Sequence, residues 1–242
     1  MAKQLVVSED RPSLRRYLCP RLVMKLLSAP VLLVASLSLA TGDDSAMAAP
    51  NAASPFRSSS STVSAGQLGA TWRPGCPVAP GQLRLLHLNY VGFDNHEHVG
   101  TIVVRTRVVA SVIKIFFKLF LERFPIHSMI PESRFAGHDP TSMAADNTSG
   151  FNCRYAVASG TPQWSAHAFG EAIDVNPIEN PYLVSGVAEP VAGKVFLNRN
   201  DVRRGMAVKG GELVTAFTSV GWYWGGRWTA SPDYQHFSVT GG

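Results

Sequence analysis

The sequence predicts an α+β domain with a small, mainly antiparallel sheet and flanking helices. Three observations lead there. Residues 106–123 carry the clearest helical periodicity in the chain. Several short runs have β-rich character and are separated by turn residues. Helices are few beside these strands, a balance typical of α+β domains.

The elements follow in chain order. Leu83–Gly92 (LRLLHLNYVG) and Gly100–Arg105 (GTIVVR) read as strands, and Phe93-Asp94-Asn95-His96 between them as a turn, which together make a hairpin. The helix comes next, from about Thr106 to Arg123. Arg107, Ser111, Lys114, Lys118 and Glu122 recur on one face. Val108, Val112, Ile115, Phe116, Leu119 and Phe120 occupy the other. Lys114 and Lys118 in its middle exclude a membrane span, and Pro125 ends it. Residues 130–149 are polar and turn-rich and read as a long structured loop. Short strands are expected at Phe151–Tyr155 and Ala172–Asn176. A Pro- and Gly-containing excursion covers 177–205, a helix Gly211–Val220, and closing strands Trp222–Trp228 and Gln235–Val239.

The N-terminal part has a different character. Leu26–Ala40 is an apolar run of signal-peptide length. Arg15, Arg16, Arg21 and Lys25 precede it, and Ala46-Met47-Ala48 resembles a cleavage site. Residues 1–48 therefore read as an export signal, with Met24 an alternative start. An uncleaved anchor is the competing reading. Cleavage would leave no stable membrane span and would place the protein outside the cell or at its wall. Residues 49–66, rich in Ser, Ala and Pro, read as a flexible linker, and 67–242 as the folded domain. Cys19 would leave with the signal. Cys76 and Cys153 then remain in an oxidising compartment, as a disulfide or as two separate buried thiols. The formal charge of +5 falls to +3 from Ala49 onward, too mild a balance to indicate a nucleic-acid partner.

The chemistry concentrates in two places. Ser165-Ala-His167-Ala-Phe-Gly170-Glu-Ala172-Ile-Asp174 carries a His and an Asp seven residues apart, and Gly170 permits a turn between them. Apolar Ala172, Ile173 and Val175 flank Asp174, so its carboxylate needs a partner or a metal. Asp233-Tyr-Gln-His236 supplies a second imidazole and a second carboxylate. Catalytic zinc takes three protein ligands and keeps one position open. It lowers the pKa of bound water from about 15.7 to about 7. His167, Asp174 and His236 fill the ligand roles, with one Zn2+ in the domain, and Asp233 that of general base and acid.

The S-x-H-x-x-G-x-A-x-D pattern with a distal D-x-x-H resembles the D-Ala-D-Ala carboxypeptidase and L-alanyl-D-glutamate endopeptidase family of zinc peptidases. Their fold is shared with lysostaphin-type enzymes and the hedgehog signalling domain. Ala145–Arg154, Ala172–Pro177 and Trp224–Trp228 add to the likeness, which spans about Tyr90–Ser238. The resemblance implies a zinc metallopeptidase acting on peptidoglycan stem peptides through metal-activated water. It assigns the same ligands and the same base, although many relatives have Glu where this chain has Asp233. It also implies an arginine beside the metal, and Arg154 matches it, to grip a substrate carboxylate or stabilise the oxyanion. A structural ion pair, as with Asp146, is the alternative for Arg154. Ser165 is either a loop or substrate contact or a turn-stabilising hydroxyl.

The remaining candidates read more plainly. His96 and His98 fit a solvated pair better than a metal pair, and His138 beside Asp139 fits a loop surface. His87 and His127 lack ligand-like partners. Trp222, Tyr223, Trp224 and Trp228 suit a small core, or stacking on sugar. Carboxypeptidase and endopeptidase action both fit the sequence. A non-catalytic wall-binding module on the same fold is the alternative function.

Overall fold

The computed structural model describes residues 55–157 and 161–241. The expected export signal, Met24 and Cys19 lie outside the described residues. Among these residues no helix is long and apolar enough to cross a membrane.

The fold is the mixed α+β arrangement expected, built on small antiparallel sheets. The first sheet has the order β1 (Ser58–Thr62), β2 (Leu83–Val91), β3 (Glu97–Arg105). The β2–β3 hairpin pairs Leu86 with Ile102 and Leu88 with Gly100. One face turns Leu86, Leu88, Tyr90, Ile102 and Val104 into the main core. The other turns Leu83 and Val103 into a smaller core with Val63, Leu68, Val78, Phe151 and Cys153. Alternation along a strand lets one hairpin serve both.

The linker expected over 49–66 is a correction. Ser58–Thr62 pairs with β2 from Ser58↔Leu88 to Thr62↔Arg84. Helix α1 (Ala65–Leu68) follows, capped by Ser64 and Gln67 in a reciprocal box. The ordered fold therefore begins before Gln67. All five β1 side chains are exposed, so the strand is held through its main chain and leaves no apolar periodicity to read.

Helix α2 (Val109–Leu121) buries Val112, Ile115, Phe116, Leu119 and Phe120 against the hairpin, as its periodicity predicts. Each such side chain, when fully buried, contributes roughly 1.5–3 kcal/mol. A 3-10 turn, Thr106–Val108, replaces the expected first helical turn. The long loop contains a 3-10 turn at Glu132–Phe135 and helix α3 (Asp139–Ala144).

The second sheet has the order β4 (Ala172–Asp174), β8 (His236–Ser238), β7 (Tyr223–Trp224). Helix α4 (Glu212–Thr218) packs Leu213, Val214, Ala216 and Phe217 behind it. Residues 177–205 carry a hairpin of β5 (Tyr182–Val184) and β6 (Val187–Glu189). The expected strands Ala172–Asn176, Gln235–Val239 and Trp222–Trp228 are shorter than predicted, and Phe151–Tyr155 is not a strand. Tyr223–Trp224 passes into a 3-10 turn at Gly225–Arg227. Phe151–Tyr155 makes no strand beyond a single bridge, Tyr155 with Trp164. That segment is pulled two ways, by Phe151 N–H on the Val103 carbonyl and by Cys153 N–H on Thr71. Cys153 is also joined to Cys76 in a disulfide.

The outer edge of β3 does much of the positioning. Thr101 N–H donates to Met129, Phe151 N–H to Val103, and Arg105 N–H to Gly170, each at 2.8 Å. Three loops, including those that bear Arg154 and His167, thus hang from one strand edge.

Candidate metal centre

His167 lies on a 3-10 turn, Ala166–Phe169. The Ser165 hydroxyl caps the turn by accepting from the His167 N–H at 3.3 Å, which matches one of the two roles the sequence left open for it. The turn ends on Gly170 at φ +68°, where the chain reverses into β4. A Cβ there would stand 2.8 Å from the Arg105 nitrogen. Glu171 fixes the reversal by pairing with Arg105 at 2.8 Å and with Arg107. Burial disfavours its charge, but the two arginines outweigh burial and lower its pKa.

Asp174 and His236 are register partners across β4 and β8, so both side chains leave the same face. Their neighbours Ile173 and Phe237 point to the core. Ser149 pairs with the free side of Asp174 through two backbone hydrogen bonds, 2.9 and 3.0 Å. This sets Gly150 beside His167, and His167 Nδ1 donates to the Gly150 carbonyl at 2.7 Å. A carbonyl can only accept, so Nε2 presents its lone pair.

That lone pair faces the other two residues. His167 Nε2 is 3.1 Å from Asp174 Oδ2 and 3.2 Å from His236 Nδ1, and His236 Nδ1 is 3.1 Å from Asp174 Oδ1. One ligand atom from each of the three lies within 4.8 Å of the others, and all three residues are buried. Two imidazole nitrogens and a carboxylate oxygen crowded together away from water call for a cation between them. The set suits zinc by donor type and number.

The electrostatics agree. Burial alone would raise Asp174, but the two imidazoles hold it well below the usual carboxylate range. Burial lowers the His167 pKa, and the Asp174 charge more than compensates and raises it. At His236 burial prevails and the pKa falls. Asp233 is pushed well above the carboxylate range by burial and by the charge of Asp174. Its backbone N–H donates to Gly225 at 3.1 Å, and its Oδ1 is buried with no hydrogen-bond partner. Gly225 leaves room for this: a Cβ there would be 3.2 Å from the Cβ atoms of both Asp233 and His236.

Residues 159–239 match the model of a family described as D-alanyl-D-alanine carboxypeptidase. Over this segment the chain is similar to that peptidase family. The matched segment takes in His167, Asp174, Asp233 and His236 and does not reach Arg154. No curated protein matches the chain, and no solved structure does.

Arg154 is anchored beside the family segment. Its carbonyl accepts from Ser165 N–H at 3.1 Å, two residues before His167. Its guanidinium pairs with Asp139 at 2.9 Å, not with Asp146. Asp146 instead accepts from Ile178 N–H at 2.8 Å and lies 3.8 Å from His127. Tyr182, missed in the sequence, bridges to Asp233 from the β5–β6 hairpin, and its phenol is raised by burial and by the Asp233 charge. Glu132 was missed too; it is buried, bonded to Ser142, and pushed up to about 7 by burial. Only folding brings these residues to the site, so no local motif marks them.

The other candidates sit elsewhere. His96 and His98 pair with Asp94 on the surface. His138 is exposed on Thr141, and His87 and His127 are exposed as well. Trp222 and Trp224 fill the core, Tyr223 is exposed, and the Trp228 ring lies 5.3 Å from that of His236.

Proposed function

We propose that the protein is an exported zinc metallopeptidase that hydrolyses peptide bonds of peptidoglycan stem peptides, as a carboxypeptidase or an endopeptidase. The observation that carries this reading is the convergence of His167, Asp174 and His236 beside Asp233, whose Oδ1 is buried and unpartnered. The family match supports a peptidase, and the peptidoglycan substrate rests on that likeness. Action at the cell wall agrees with an export signal in residues 1–48.

His167, Asp174 and His236 would hold the metal. Bound zinc supplies Lewis acidity, polarising the scissile carbonyl and making water acidic enough to lose a proton near neutral pH. Asp233 Oδ1 takes that proton and delivers it to the leaving nitrogen. A raised carboxyl suits this exchange, and a cation between the ligands offsets the negative charge of Asp174 that contributes to the rise. The Gly150 carbonyl keeps His167 in one tautomer and orientation. Tyr182 bridges to Asp233 through its backbone, and the Trp228 ring lies 5.3 Å from that of His236.

The test is digestion of purified peptidoglycan and defined muropeptides by the zinc-loaded domain, with products identified by mass spectrometry. Release of a terminal D-Ala, or new amine termini within stem peptides, supports the reading. Tight wall binding without any release of fragments would replace it with a non-catalytic binding module.

A further inference from the structure

Arg154 is the cation expected to meet a substrate carboxylate, and the fold has already supplied it with one. Its Nη2 lies 2.9 Å from Asp139 Oδ2, and the side chains are only 25% and 17% exposed. Neither partner is loosely placed. Asp139 opens α3 and is followed by Pro140, which stiffens the helix start. The Asn152 side chain donates to the Gly137 carbonyl at 3.1 Å and ties the two loops together just beside the pair.

The pair also sits against the metal centre. Asn152 N–H donates to the His167 carbonyl at 3.2 Å, and Ser165 N–H to the Arg154 carbonyl at 3.1 Å. The charges of both Arg154 and Asp139 are felt at His167 and at Asp233. A free carboxylate approaching Arg154 therefore meets the Asp139 charge as well, and like charges held close in a partly buried site repel. An amide oxygen brings no such charge. It could take the guanidinium donor left over on Nη1, which makes only a 3.4 Å bond to the Tyr155 carbonyl.

We infer that Asp139 sets the charge preference of the substrate site. By neutralising Arg154, it favours peptides in which the carboxyl on the leaving-amine side of the scissile bond is blocked. The block is an amide or a continuing peptide bond. This rests on the peptidase reading and narrows it toward endopeptidase action, or toward stem peptides whose D-Glu carboxyl is amidated. Asp139 acts through Arg154 and is a positioning residue.

The test uses two peptides that differ only in that carboxyl, one free and one amidated. For wild type, kcat/KM should favour the amide by about tenfold or more. Asp139→Asn should shift the ratio toward the free acid by at least tenfold, through KM rather than kcat. Adding Arg154→Gln should remove the new preference, and Asp139→Glu should restore that of wild type. Asp139→Ser repeats the measurement if the Asn variant melts early. Calorimetric Kd values for the same two peptides on metal-free protein give the ratio without turnover. If nothing is cleaved but the Kd ratio shifts as described, the peptidase reading fails and the role of Asp139 stands. A ratio unmoved in both Asp139→Asn and Asp139→Ser overturns the inference, as does a wild-type preference for the free acid or binding of neither peptide.

Discussion

Asp174 Oδ1 lies 3.1 Å from His236 Nδ1, directly across the β4–β8 ladder from residues 62 positions apart in the chain. The carboxylate and the imidazole are therefore brought together by sheet register. Slipping that register by one residue would send one of them into the core. Alanine at His167, Asp174 or His236 should each abolish stoichiometric zinc binding. Metal content after dialysis against a weak chelator checks this. Retention of one zinc per chain by any of the three would remove that residue from the ligand set.

Asp233 separates binding from turnover. Asp233→Asn should keep its zinc and lose about 10²–10⁴-fold in kcat, the range expected for a general acid–base residue. Steady-state kinetics on a stem peptide, beside metal analysis of the same sample, make the comparison. Zinc loss in step with activity would reassign Asp233 to metal binding.

Gly170 holds a left-handed turn with no room for a side chain. Gly170→Ala should destabilise the fold by about 2–3 kcal/mol, combining the positive-φ cost with the contact on the Arg105 nitrogen. It should also weaken zinc binding, because the same turn aims His167. Denaturant unfolding and a competitive zinc titration read the two effects separately.

Glu132 gives a pH signature. Burial raises its carboxyl from the ordinary 4.5 to about 7, so the fold favours the neutral form. Its stabilising contribution is complete below about pH 4.5 and is lost as the pH rises toward 7. Glu132→Gln stays neutral throughout. It should match wild type near pH 4.5 and exceed it by up to about 3 kcal/mol at pH 8. Melting curves across that range decide the matter, and a difference independent of pH would contradict it.

The disulfide closes a loop with a sequence separation of 77. Replacing Cys76 and Cys153 together by Ser should cost roughly 4 kcal/mol, most of it through the unfolded chain. The loss should appear in wild type on adding reductant and be absent from the double variant.

The centre was legible because two local spacings carried it. A seven-residue step with a glycine inside encodes the His167 turn, and a three-residue step encodes Asp233 and His236. Arg154 was legible as a position but its partner was not. Asp139 lies fifteen residues upstream, and only the fold of the long loop brings it near. Tyr182 was invisible for a similar reason, since a single backbone bridge puts it beside Asp233. The α2 face could be read from side-chain periodicity. Strand β1 could not, because main-chain pairing leaves no trace in the order of side chains.

The loops hung on β3 also bear on self-association. With Met129, Phe151 and Gly170 occupying that edge, the first sheet has β1 as its remaining open edge among the described residues. A sheet open on both sides can add copies without limit, whereas a sheet open on one side can only join another such edge. Strand pairing between copies through this sheet would therefore stop at two, a closed pair about a twofold axis and not a growing fibre.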